Sequence, residues 1–136
     1  MTGYLLDTSV VIDWLAGRPG VGQWMEARIK GGAPLVVTPI TIAEVLAGVE
    51  PLRHAKVLSL LEGFLLELID AEVAATAGRL CWEHDRSGTR VPLPDLLQAA
   101  VAIKHNLSVA TSNTRHFPDV PHWDPRQPNT DPPSSA

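Results

Sequence analysis

Short apolar runs separated by helix-like segments set the pattern of this 136-residue chain. Tyr4-Leu5-Leu6 is an apolar run that stops at Asp7. Thr8 or Ser9 then offers a cap for a helix starting near Val10. Glycines between Gly17 and Gly22 interrupt the chain, and a second helix is predicted over Val21–Lys30, stopped by Gly31-Gly32. Leu35-Val36-Val37 reads as a strand. Thr38-Pro39 opens the next helix, Ile40–Gly48, with proline in the first turn where its missing N–H is not needed. A helix over Arg53–Gly63 and a strand over Leu65–Ile69 follow. Asp70 caps a long helix reaching Asp85. After a loop over Ser87–Pro94, a helix runs from Pro94 to about His105. Leu107–Ala110 reads as a strand, and a last short strand falls near Val120–His122.

Brief apolar strands alternating with helices predict an α/β fold: one domain with a short central parallel sheet flanked by helices. The segment Leu96-Leu97-Gln98-Ala99-Ala100-Val101-Ala102-Ile103 is apolar on nearly every side, which places its helix in the middle of the domain. The stretch from Asp124 to Ala136 holds four of the twelve prolines and no aliphatic residue larger than alanine. It is expected to be a disordered Pro-rich tail, leaving residues 1–123 as the domain.

Composition narrows the function classes. Hydrophobic residues make up 45% of the chain, enough for a packed core, and no apolar run is long enough to span a bilayer. Met1 to Asp7 lacks a basic region, so no secretory signal is expected. A single cysteine, Cys81, excludes a disulfide framework, and a reducing, cytoplasmic setting is expected. The net charge of −4 argues against nucleic-acid binding through bulk charge alone.

Four polar residues stand where such a fold places its ligands, outside the carboxyl ends of the strands. Asp7 ends the first strand, and Asn113 lies just past the Leu107–Ala110 strand. Asp95 sits in the first turn of the apolar helix, near its positive end. Glu44 lies on the helix after Leu35–Val37. Each has a bland reading: a turn residue for Asp7 or Asn113, a cap for Asp95, a solvated side chain for Glu44. The argument rests on their joint occurrence. Three converging carboxylates without basic partners stay ionised only with cations between them. Oxygen donors of this kind suit Mg²⁺ or Mn²⁺, which acidify water and clamp phosphodiesters.

The run into Asp7-Thr8-Ser9-Val10, the segment Pro39-Ile40-Thr41-Ile42-Ala43-Glu44-Val45, the segment from Pro94-Asp95-Leu96 to Ala102, and Val109-Ala110-Thr111-Ser112-Asn113 through Phe117 resemble the PIN-domain pattern, in that order. The spacing is similar to that of VapC-type toxins of toxin–antitoxin pairs, and the resemblance covers roughly residues 3–123. It implies a Mg²⁺- or Mn²⁺-dependent endoribonuclease with Asp7, Glu44 and Asp95 as metal ligands. The fourth acidic position of the general pattern falls on Asn113, a neutral amide that weakens any second metal site. Thr111 adds a hydroxyl by the same resemblance, while helix capping is expected of Thr8 and Ser9.

Holding RNA requires basic groups, and Arg86, Arg90 and Arg115 are the expected phosphate contacts, the first two because they flank the loop before Asp95. All five histidines are expected to be surface or structural. The resemblance further implies a cognate antitoxin partner and a homodimer, with a higher toxin–antitoxin assembly open. Ile42, Val45, Leu46, Val49, Val57, Leu58, Leu60, Leu61 and Phe64 offer an apolar receiving surface, or else ordinary core. A phosphatase with Asp7 as nucleophile would want an aspartate at position 9, which is Ser9. A non-catalytic PIN-like module binding RNA or protein is the remaining alternative.

Overall fold

Strand residues that are apolar at every position need cover on both faces of their sheet, and that requirement organises the fold. The computed structural model describes residues 3–127. In chain order its elements are β1 (Tyr4–Leu6), α1 (Thr8–Leu15), α2 (Val21–Lys30), β2 (Leu35–Val37), α3 (Pro39–Ala47), α4 (His54–Leu61), β3 (Leu65–Leu66), α5 (Ala71–Ser87), α6 (Leu93–His105), β4 (Ser108–Ala110) and β5 (His122–Trp123). Single 3-10 turns precede α4 at Pro51–Arg53 and follow β4 at Thr114–His116. The five strands are all parallel, in the order β3-β2-β1-β4-β5.

Register assigns each side chain to a layer. Leu5 lies opposite Val36 and Val109, and these three face the core shared with Val73, Ala77 and Leu80 of α5 and Leu96 to Ala102 of α6. Tyr4, Leu6, Leu35, Val37 and Ala110 point the other way, onto Val10, Val11, Val21, Met25, Val45, Val57 and Leu61 of α1 to α4. Helices therefore cover both faces, and the three-layer α/β expectation holds. From β1 the sheet grows in two directions, through β2 and through β4. The carboxyl end of β1 is thus the switch point where such sheets open a crevice.

Several boundaries differ from the sequence reading. The first helix starts at Thr8, with Asp7 in extended backbone at its N-cap and no side-chain cap bond, because the Thr8 and Ser9 hydroxyls are engaged elsewhere. The third strand has only two residues, both exposed at the sheet edge, since the chain leaves after Glu67 to reach the Asp70 cap of α5. The long helix runs two residues further than Asp85, to Ser87, before Gly88 closes it in left-handed backbone (φ 78°).

The proposed apolar surface on α3 and α4 is mostly core. Val45, Val57 and Leu61 are buried and Ile42, Leu46, Val49 and Phe64 pack against them, which leaves Leu58 and Leu60 facing outward. His54 fastens the two helices, its Nε2 lying 2.9 Å from the Leu46 carbonyl and 2.7 Å from that of Val49.

The chain also continues in ordered form past residue 123. Asp124 is buried, and the Arg126 guanidinium grips its carboxylate at 2.8–3.2 Å while also donating to the Ser112 carbonyl. An ion pair between buried Asp124 and exposed Arg126 thus ties down the first residues that composition alone reads as tail. The rest of that expected tail, 128–136, lies outside the described residues. Among the described residues no helix is long and apolar enough to cross a membrane.

Leu96 is fully buried between α5 and the sheet. Leu96→Ala is expected to destabilise the fold by about 3 kcal/mol, read as a lower urea midpoint with unchanged m-value.

Candidate active site

Asp7 is the centre of the crevice. It follows β1 directly and is almost fully buried, yet one edge reaches the surface of the cleft. A buried carboxylate stays charged only if its oxygens receive hydrogen bonds. Three arrive. Thr111, from the end of β4, donates through Oγ1 to Asp7 Oδ2 at 2.8 Å, and Ser9 donates through Oγ to the same oxygen at 3.0 Å. Gln98, from the middle of α6, donates through Nε2 to Asp7 Oδ1 at 3.3 Å.

These donors are themselves fixed. Thr111 Oγ1 accepts the Asn113 N–H, and Ser9 Oγ accepts the Ser112 N–H. Gln98 is fully buried. Its Nε2 also donates to Thr41 Oγ1 at 2.9 Å, and its Oε1 accepts Thr38 Oγ1–H at 2.6 Å. One amide thereby joins α6, the end of β2, α3 and Asp7. In the sequence Gln98 reads as part of an apolar run. The available signal was its position three residues after Asp95, on the same face of the helix.

The cleft has a volume of about 360 Å³, and its lining includes Asp7, Glu44, Asp95 and Asn113. The structure thus brings the four proposed residues to one place from four separate elements. Glu44 extends from α3, and Thr8 Oγ1 donates to its Oε1 at 2.7 Å. Asp95 stands in the first turn of α6, near the positive end of the helix dipole, which favours a carboxylate. His116 Nδ1 lies 2.7 Å from Asp95 Oδ2. The sequence reads this histidine as surface or structural. Nothing in its spacing marked it, because the 3-10 turn after β4 is what carries it back over α6.

Neither lysine nor arginine lines the cleft. Burial raises the Asp95 pKa above the usual carboxylate value, and the charges of Asp7 and Glu44 push it further up. Hydrogen bonding and charge at His116 act in the opposite direction. Three carboxylates therefore feel one another in a partly dry cleft. That excess of negative charge on hard oxygen donors fits a divalent cation. Among the described residues no three such side chains are already drawn into an ion cage. Glu44 is tethered by one oxygen to Thr8 and Asp95 by one oxygen to His116, and the second oxygen of each has no partner among the described residues.

The basic residues fall elsewhere. Thr111 sits beneath the cleft, behind Asp7, rather than in its lining. Arg86 lies over the exposed Trp82 ring, 4.6 Å from its centroid. Arg115 is exposed on the 3-10 turn and lines no part of the cleft, and Arg90 lines an adjoining pocket. Thr8 and Ser9 hold carboxylates rather than capping α1.

Two outcomes follow from this electrostatic arrangement. In the folded protein Asp95 has a raised pKa, so its ionisation costs stability near neutral pH. That cost fades as pH falls through the raised value, where the folded state takes up the proton first. Asp95→Asn is expected to melt higher than wild type near pH 7 in chelating buffer, with the gap closing towards about pH 4. A variant that melts lower at neutral pH contradicts this. Gln98→Leu strands the buried Thr38 hydroxyl and removes a donor from Asp7. It is expected to cost about 2 kcal/mol in urea unfolding, although leucine is the more hydrophobic residue.

Known proteins share this arrangement's frame. The family model described as PIN domain matches residues 4–122. Ribonuclease VapC10 of Mycobacterium tuberculosis (strain ATCC 25618 / H37Rv) is 32% identical over 114 residues, covering 84% of this chain and 85% of the relative. Ribonuclease VapC19 of the same strain is 29% identical over 121 residues, covering 89% and 97%. A solved toxin–antitoxin complex from Klebsiella pneumoniae superposes with a TM-score of 0.75 at 28% identity, over 90% of this chain and 98% of that one. FitAcB from Neisseria gonorrhoeae gives 0.74 at 27%, over 91% and 99%. With its parallel sheet, its acidic switch-point cleft and a match over nearly its whole described length, this chain belongs to the PIN domain family.

Proposed function

We propose that this chain is an endoribonuclease toxin that hydrolyses RNA phosphodiesters with Mg²⁺ or Mn²⁺, and that a cognate antitoxin neutralises it. The observation that carries the reading is the convergence of Asp7, Glu44 and Asp95 on one cleft with neither lysine nor arginine in its lining. The ribonuclease names of the relatives and the toxin–antitoxin titles of the structural neighbours support it. Asp7, Asp95 and Glu44 would hold the cation, which when bound supplies charge for the phosphate and acidity for a water.

The chain's own residues supply the rest. Thr111, Ser9 and Gln98 hydrogen-bond Asp7 and hold it at the cleft. Glu44, exposed on α3, is placed to accept the proton of an attacking water. Asn113, at the mouth, offers an amide that orients the phosphodiester. A cytoplasmic homodimer, alone or within a larger toxin–antitoxin assembly, is the expected working form.

The test is incubation of the purified chain, free of antitoxin, with total bacterial RNA and Mg²⁺ or Mn²⁺, alongside an Asp7→Asn/Asp95→Asn variant. Newly formed 5′ ends are then mapped. Discrete ends that need the metal and vanish in the variant or in chelator are the expected result. Absence of both new ends and Mn²⁺ binding overturns the proposal in favour of a non-catalytic binding module.

A further inference from the structure

A second pocket of about 370 Å³ opens beside the carboxylate cleft, lined by Asp85, Arg90, Val91, Pro92 and His116. Pro92 and His116 line both pockets and so form the ridge between them. The two differ in charge. The first holds three carboxylates and no arginine or lysine, and the second holds Arg90.

Arg53 and Arg115 make no ion pair among the described residues but line neither pocket, and other arginines are engaged elsewhere. Arg18 pairs with Asp13, Arg79 with Glu83 and Arg126 with Asp124, while Arg86 lies over Trp82. Arg90 makes no ion pair among the described residues, and its backbone is well anchored. Val91 beside it is buried, and the carbonyl of Pro92 accepts the N–H groups of Asp95 and Leu96 at the start of α6. The guanidinium therefore hangs from a short fixed segment whose other end carries Asp95.

An RNA strand lying in the first cleft must continue beyond it with its repeating phosphates. We propose that the Arg90 pocket is a phosphate subsite, which takes a backbone phosphate flanking the one in the carboxylate cleft. The inference rests on the nuclease reading above and adds the form of the substrate. Each pocket has the size of a small-ligand site, so each takes one phosphate group, and the substrate is a strand that carries consecutive phosphates across the Pro92–His116 ridge. Arg90 supplies a forked donor matched to phosphate. Asp85, in the same pocket, repels phosphate and confines it to the Arg90 side.

The test uses the full chain and a single-stranded oligoribonucleotide that it cleaves, with one uncharged methylphosphonate placed at each flanking phosphate in turn. Arg90→Ala is expected to raise KM about fivefold, the upper range for a solvent-accessible ion pair, with kcat held. One methylphosphonate position is expected to raise KM equally in wild type and to add nothing in Arg90→Ala, since both changes remove the same contact. Asp85→Asn is expected to lower KM, and Lys30→Ala, on the outer face of α2, to show no such coupling. Losses that add at every position, or a KM indifferent to Arg90, overturn the subsite while the nuclease reading stands. A wild-type chain that cleaves no RNA overturns both.

Discussion

A carboxylate almost without solvent contact needs hydrogen bonds to both its oxygens, and much of this structure is arranged around that constraint. Asp7 receives its hydrogen bonds from Thr111, Ser9 and Gln98, so the ends of β1 and β4, the start of α1 and the middle of α6 must all be in register. The donors are neutral. A lysine or arginine in their place would also stabilise the charge, but it would cancel the negative field of the cleft. Hydroxyls and an amide satisfy the oxygens and leave that field intact. Gln98 extends the same logic inward, because its carbonyl and amide are both used, by Thr38 and by Thr41 with Asp7. A polar residue in the most buried helix is tolerated because every one of these groups has a partner.

The mouth of the cleft is built on a different principle from its floor. Asp7 is locked by several bonds, whereas Glu44 and Asp95 are each held by one neighbour, Thr8 and His116. A fixed floor with two singly tethered walls lets the outer carboxylates adjust to what enters. Burial, and after it the charges of Asp7 and Glu44, raise the pKa of Asp95, so its ionisation is a cost that the folded chain carries at neutral pH.

Most of the architecture was legible in the sequence. Apolar strands of three residues, the proline at the start of α3, the Asp70 cap and the unbroken apolar face of α6 each have a local physical cause, and the elements they announce are present. The convergence of Asp7, Glu44, Asp95 and Asn113 was legible too, since strand ends of a parallel sheet share one edge. What was not legible depends on three-dimensional pairing. His116 reaches Asp95 only because a 3-10 turn bends the chain after β4. Asp124 and Arg126 look like part of a proline-rich tail until their fork and the Ser112 carbonyl are seen together. The hydroxyls of Thr8 and Ser9 have two uses that sequence cannot separate, capping and carboxylate holding, and the second wins because Asp7 and Glu44 lie within reach.

The bond from Thr111 to Asp7 joins residues 104 positions apart. Chains are made from the amino terminus, and β1 is therefore synthesised long before the strand that completes its acidic site. A growing chain that lacks β4 carries Asp7 without its Thr111 and Ser112 supports, and without His116 over Asp95. The cleft thus comes into being only after β4 and the 3-10 turn behind it have been made. Whatever chemistry it performs is withheld from the growing chain's surroundings until residues 104 or more positions after Asp7 have been added.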